Sequence, residues 1–183
     1  MTKSYKFTGE TKILNDEITL KRIRAIRDIG TDVKAGDLGG WIEKESNLSD
    51  NAWVFDNAEV FDNAEVYDNA RVYDNAEVYD NARVYGNSRV YNNTMVYGDA
   101  WVYGNAWVFG NALVSDNAWV FNNARVYDNA EVYGNARVYG NARVYGDAKV
   151  YGDAKVFRYT WIDKIISILV AYKRGGFKNV FKK

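Results

Sequence analysis

Between positions 95 and 119 every sixth residue is large and apolar. Met95, Trp101, Trp107, Leu113 and Trp119 fill a slot that elsewhere, Trp53 excepted, holds Glu, Arg or Lys. Tryptophan at such spacing suits recognition, because it buries much area with little loss of side-chain entropy. Proton transfer has few candidates. The 183 residues contain no His and no Cys. That removes the commonest general base, the commonest metal ligand, thiolate nucleophiles, disulfides and cysteine zinc sites. Twenty-four acidic side chains remain, balanced by twenty-four basic ones. Those in the repeated part of the chain occupy solvent-facing slots with no expected shift in titration. The reading is a non-catalytic binding protein with no catalytic residue, no cofactor and no metal.

The slots belong to a repeat of six. From Leu48 to Phe157 the chain runs Asp/Gly-Asn-Ala-x-Val-Tyr without insertion. Ile42, with Ser46 in the alanine slot, extends the register toward the N-terminus. In a strand, Ala and Val two residues apart share one side, and the variable residue and Tyr share the other. Charged side chains cannot fill a dry core, so the Ala/Val side must point inward. Gly, Asp and Asn fill the turns because they tolerate positive φ. A strand this short cannot bury itself, so the repeats must stack.

This pattern resembles the hexapeptide-repeat, left-handed β-helix family, in which an aliphatic residue, a Gly/Asp-type residue, two variable residues, a small residue and a variable one recur. The resemblance implies an all-β solenoid, a left-handed parallel β-helix with three hexapeptides per triangular coil of eighteen residues. Family enzymes move acyl groups from coenzyme A, typically as trimers, with a His base beside a groove between subunits. This chain has no His and its register never opens for a substrate loop. An acyltransferase using a carboxylate base is therefore an alternative, as is a purely structural or assembly solenoid. The N-terminal phrases Tyr-Lys-Phe-Thr-Gly-Glu-Thr-Lys and Gly-Asp-Leu-Gly-Gly-Trp-Ile-Glu resemble hexapeptide-repeat proteins of bacteria and their phages. A phage-derived inhibitor or sequestering protein, acting against a host defence factor, is what that likeness implies.

Three regions are expected: a β-rich N-terminal cap over 1–41, the β-helix over 42–158, and a C-terminal helix with a basic tail over 159–183. The cap contains two strand-like runs, Tyr5–Thr11 and Ile18–Ile29, and the alternating segment 21–28 reads as an amphipathic strand with a solvated basic side. Residues 161–173 read as an amphipathic helix that plugs the last coil, with Lys178, Lys182 and Lys183 beyond it. The first twenty residues lack the apolar core of a secretion signal, and no apolar run reaches the roughly 18 residues of a membrane span. A soluble protein of the bacterial cytoplasm is expected.

With coils of eighteen, the variable slots form three columns, headed by Trp53, Glu59 and Glu65, each beside a column of rings. The five apolar residues from Met95 to Trp119 then form a belt of little more than one coil, the expected interaction site. Of eighteen ring slots from Phe55 to Phe157, seventeen are aromatic and one is Ser115. So many outward rings suggest a face covered by a protein partner or by a second copy, as a homo-oligomer. Ser115 leaves a notch between Tyr97 and Tyr133 where a nucleobase or sugar could stack, and a water-filled notch is the simpler reading. Aligned turn aspartates such as Asp56 and Asp74 could offer oxygens to calcium, although turn geometry already explains them. Charge is uneven: residues 47–100 carry ten acidic and three basic groups, and 101–183 carry six and twelve. Nucleic acid or a nucleotide is a weaker partner reading, since no phosphate-binding motif is present.

Overall fold

The structure is a computed structural model that describes residues 3–157 and a short strand at Trp161–Ile162. Every repeat places Ala and Val on the inside, and from Ala52 to Val156 none of these is more than 3% exposed. Ser88 and Thr94 take alanine slots and are buried too. Strands pair in parallel at an offset of eighteen: Arg71 with Arg89, Met95 with Leu113, Trp101 with Trp119. Amides of one coil donate to carbonyls of the next, as Trp107 N does to Ala124 O at 3.0 Å. Three parallel sheets result, one per side of a prism about six coils long.

The turns explain the spacing. At every repeat from Asp50 to Gly152 the turn residue is left-handed, with φ of 52–64° at Asp and Asn and 65–81° at Gly. Proline has neither that φ nor a ladder amide, which accounts for its absence from the repeats. The turn aspartates, Asp56 excepted, also accept a hydrogen bond from the backbone one coil on. Asn92 N donates to Asp74 at 2.9 Å and Gly134 N to Asp116 at 2.9 Å. Their oxygens are thus engaged in the fold, and among the described residues no group of three or more acidic side chains gathers into a metal-holding cluster.

The cap consists of β1 (Tyr5–Leu14), β2 (Ile18–Ala25) and β3 (Leu38–Ile42). β1 and β2 are antiparallel, as are β2 and β3, and β3 then joins Glu59–Val60 in parallel, so the cap prolongs the side headed by Glu59. The alternation over 21–28 holds only as far as Ala25, where β2 ends: Ile23 and Ala25 are buried, Ile26 beyond them is exposed, and Arg22 lies over the Trp41 ring at 5.5 Å instead of standing in solvent. β1 is the terminal strand of its sheet. Its pairing is interrupted between Phe7 and Thr11, with Gly9 at φ 94°, a bulge that blunts an edge open to further pairing.

Two sequence expectations shift. Ser46 does not occupy an alanine slot; it is exposed in the 3-10 turn Glu45–Asn47, and Asn47 is buried instead, donating to Asp62 O and Ala64 O. Trp161–Ile162 form a strand paired with Arg143–Val144, where the helix was expected to begin. The remainder of that expected helix, 163–173, lies outside the described residues. Among the described residues no helix is long and apolar enough to cross a membrane.

Candidate binding groove

The columns give the prism three chemically different sides. The first carries Trp53, Arg71, Arg89, Trp107, Arg125 and Arg143, so every charge in its variable slots is positive. The second carries Glu59, Glu77, Met95, Leu113, Glu131 and Lys149. The third carries Glu65, Arg83, Trp101, Trp119, Arg137 and Lys155. The apolar belt is therefore divided. Trp101 and Trp119 share the third side, Met95 and Leu113 the second, and Trp107 stands alone among arginines on the first. No flat partner can touch all five.

Trp101 and Trp119 form the most developed feature. Their rings stack at 5.1 Å and 6°. Arg83 lies over the outer face of Trp101 at 5.3 Å, and Arg137 over that of Trp119 at 4.5 Å. The four side chains make a continuous cation–ring–ring–cation pile, each cation–π contact worth about 0.5–1 kcal/mol at such exposure. Beside it runs the turn column Asn81, Asp99, Asn117, Asn135 and Asp153. Together they line a shallow groove of about 750 Å³.

Asn side chains of successive coils hydrogen-bond in ladders, one of them unbroken from Asn57 through Asn75, Asn93, Asn111 and Asn129 to Asp147 and another running from Asn69 through Asn87 and Asn105 to Asn123. In the groove column Asn63 donates to Asn81 and Asn135 to Asp153, but the rungs between Asn81 and Asn135 are missing. Among the described residues the side chains of Asp99 and Asn117 have no hydrogen-bond partner. The residue types were legible in the sequence; the broken ladder beside the two indoles was not.

The remaining expected sites look different in three dimensions. Trp107 is flanked by Arg89 and Arg125 at 5.3 and 4.8 Å, with a single indole between its two cations where the third side has two. Tyr97 stacks on Tyr79 at 5.0 Å and Tyr133 on Tyr151 at 5.3 Å. Ser115 between them is buried, and the two tyrosines on either side of it are half-buried. The other ring columns are stacked at 4.5–5.4 Å and cover one another, so the rings do not by themselves demand a partner.

Two residues of the outward columns are not outward at all. Trp53 is fully buried beneath the cap, and a side chain at Gly39 would strike it at 2.8 Å. Arg71 is buried beside it and grips Asp32 of the cap with Nε and Nη2, both at 2.9 Å, while Nη1 donates to Asn51 O at 2.6 Å. Arg71 holds the Asp32 carboxyl below the usual carboxylate range. These are the clasp of the cap. No periodicity announces it, because Asp32 lies outside the repeat.

Titration was expected to be ordinary and is not everywhere so. Burial, and then the neighbouring Glu59 one coil away, push the Glu77 carboxyl up, against Lys12. Lys12 bonds Glu59 Oε1 at 2.6 Å, and Glu59 Oε2 is buried without a partner. Burial in the ring stacks pushes the Tyr79 and Tyr85 phenols up to about 12, so both stay neutral at physiological pH and serve as packing, not as bases.

The repeat family described as YdcK beta solenoid repeat matches residues 76–92, 130–146 and 136–152. The chain is thus similar to a β-solenoid repeat family over part of its coils. No curated protein matches the chain.

Proposed function

We propose that the protein is a non-catalytic binding protein of the hexapeptide-repeat kind and that the groove along Trp101 and Trp119 is where it binds. One observation carries this reading: two stacked indoles and two side chains without hydrogen-bond partners, Asp99 and Asn117, line the same concave strip. A repeat that only had to hold the coils together would continue its charged slots there. The resemblance of the N-terminal phrases to phage-borne proteins supports a sequestering or inhibitory role in the cytoplasm of a bacterial host.

The test is a protein carrying Trp101→Arg and Trp119→Arg, checked for folding by circular dichroism, with Trp107→Arg alone as the control on another side. Loss of a specific captured macromolecule, or of self-association in light scattering, is expected. Unchanged capture and unchanged size would overturn the reading. Micromolar affinity for coenzyme A would favour the acyltransferase alternative instead, and open-ended growth with concentration would favour an assembly unit.

A further inference from the structure

We infer that the groove takes an uncharged, hydroxyl-rich linear polymer, a neutral glycan strand lying along the solenoid axis. This rests on the groove being the binding site and adds the class of ligand.

Charge is the first argument. Arg83 and Arg137 are matched in the groove by Asp99 and Asp153. Arg83 is further drawn to Glu65 at 3.6 Å. A polyanion would gain little field here and would meet Asp99 in mid-groove, so phosphate and uronate polymers are disfavoured.

Hydrogen bonding is the second. The free groups are mixed in character. Asp99 accepts, the Asn117 amide donates and accepts, and the Arg137 guanidinium and both indole N–H groups donate; none has a hydrogen-bond partner among the described residues. A hydroxyl both donates and accepts, so a polyol satisfies the whole row, whereas an acceptor-only anion leaves Asp99 and the Asn117 oxygen unmet.

The third argument removes competitors. Every indole face is already occupied by the other indole or by an arginine, so a nucleobase finds edges but no ring face to stack on. An added peptide strand finds no backbone edge, because the amides of Trp101, Trp119 and Arg137 are all used in the coil ladder. What remains suits a sugar: mixed donors and acceptors for its hydroxyls, with a new polar group at each coil, about 4.8 Å apart.

The experiment titrates the full chain with cello-, chito- and manno-oligosaccharides, with hyaluronate and poly-dT as anionic probes. At least one neutral series binds. Asp99→Asn lowers its affinity by at least about tenfold, which is roughly 1.4 kcal/mol. The same change lets the Asn ladder close, so the thermal midpoint does not fall. Trp119→Ala abolishes binding, and Trp107→Ala on the arginine side leaves it unchanged. The inference is overturned if no neutral glycan binds the folded protein, if only the anionic probes bind, or if glycan binding survives both Asp99→Asn and Trp119→Ala. Should glycans fail while capture of another macromolecule still needs Trp101 and Trp119, the ligand class falls and the site stands. If capture ignores those residues as well, both fall.

Discussion

Trp53 and Trp107 stand in one column of one side, three coils apart, with arginines as column neighbours, yet one is fully buried and the other partly exposed. The difference is not in the repeat. Over Trp53 the cap lays Gly39 and sends Asp32 to meet Arg71; over Trp107 lie the cations Arg89 and Arg125, with Tyr91 edge-on to the ring at 6.3 Å. A slot in a solenoid sets direction, and a non-repeating segment decides whether that direction ends in solvent or in core.

Substitutions should separate the two regions sharply. Trp53→Ala leaves a large cavity under the cap and is expected to cost about 3–5 kcal/mol. Trp107→Ala, by contrast, should cost under about 1 kcal/mol. Chemical denaturation of both variants measures the contrast, and equal losses would mean that the cap does not hold Trp53 as described.

Arg71→Ala strips the clasp next to it. Removing one partner of a buried pair costs about 3–5 kcal/mol, discounted here to about 2 because Asp32 is 42% exposed. The acid limb of stability sharpens the point. Asp32 titrates below its unfolded value of about 3.9, so its contribution is present above that pH and fades as pH falls through the lower folded value. Asp32→Asn should flatten that part of the pH profile, and an unaltered acid limb would count against the clasp.

A third contrast lies in the turns. Asp56 near the cap and Gly110 in the open coils share a column, with φ of 52° and 81°. A Cβ at Gly110 would sit 2.7 Å from Asp128 N. Gly110→Ala should therefore cost about 1–3 kcal/mol, seen as a lower thermal midpoint, through strain at positive φ and backbone crowding. A midpoint at or above the parent's would show that the coils can part there.

The smallest effect belongs to Glu77. Its folded pKa is raised, so the stability tied to its protonated form is present below the unfolded value and is lost as pH rises through the folded one. Glu77→Gln should raise the thermal midpoint by about 1–2 °C at neutral pH and change little in acid. A gain at acid pH alone would reverse the sign and refute the assignment.

Much of this was legible in the residues. The six-residue spacing of Val and Ala set the inside, the choice of Asp, Asn and Gly marked the left-handed turns, and coils of eighteen aligned the columns that the register confirms. What escaped was everything non-periodic. Trp53 and Arg71 look like surface slots until Asp32 arrives from thirty-nine positions away to pair with Arg71. The groove depends on a ladder that stops between Asn81 and Asn135, where the Asp99 carboxylate has no N–H to pass on to Asn117. Even the charge gradient reads differently in place. The coils from 101 to 157 are balanced, with five acidic and five basic side chains, and the basic excess of the second half belongs to residues 158–183.

The pairing offset has an evolutionary corollary. Because each side chain meets its equivalent one full winding later, deleting or duplicating eighteen residues changes the height of the tower while leaving each wall's chemistry aligned. An insertion of six would instead rotate all later walls by a third of a revolution, bringing acidic columns onto basic ones. Lineages of this chain can therefore lengthen or shorten by whole windings, and a binding strip such as the one beside Trp101 grows or contracts by one rung at a time.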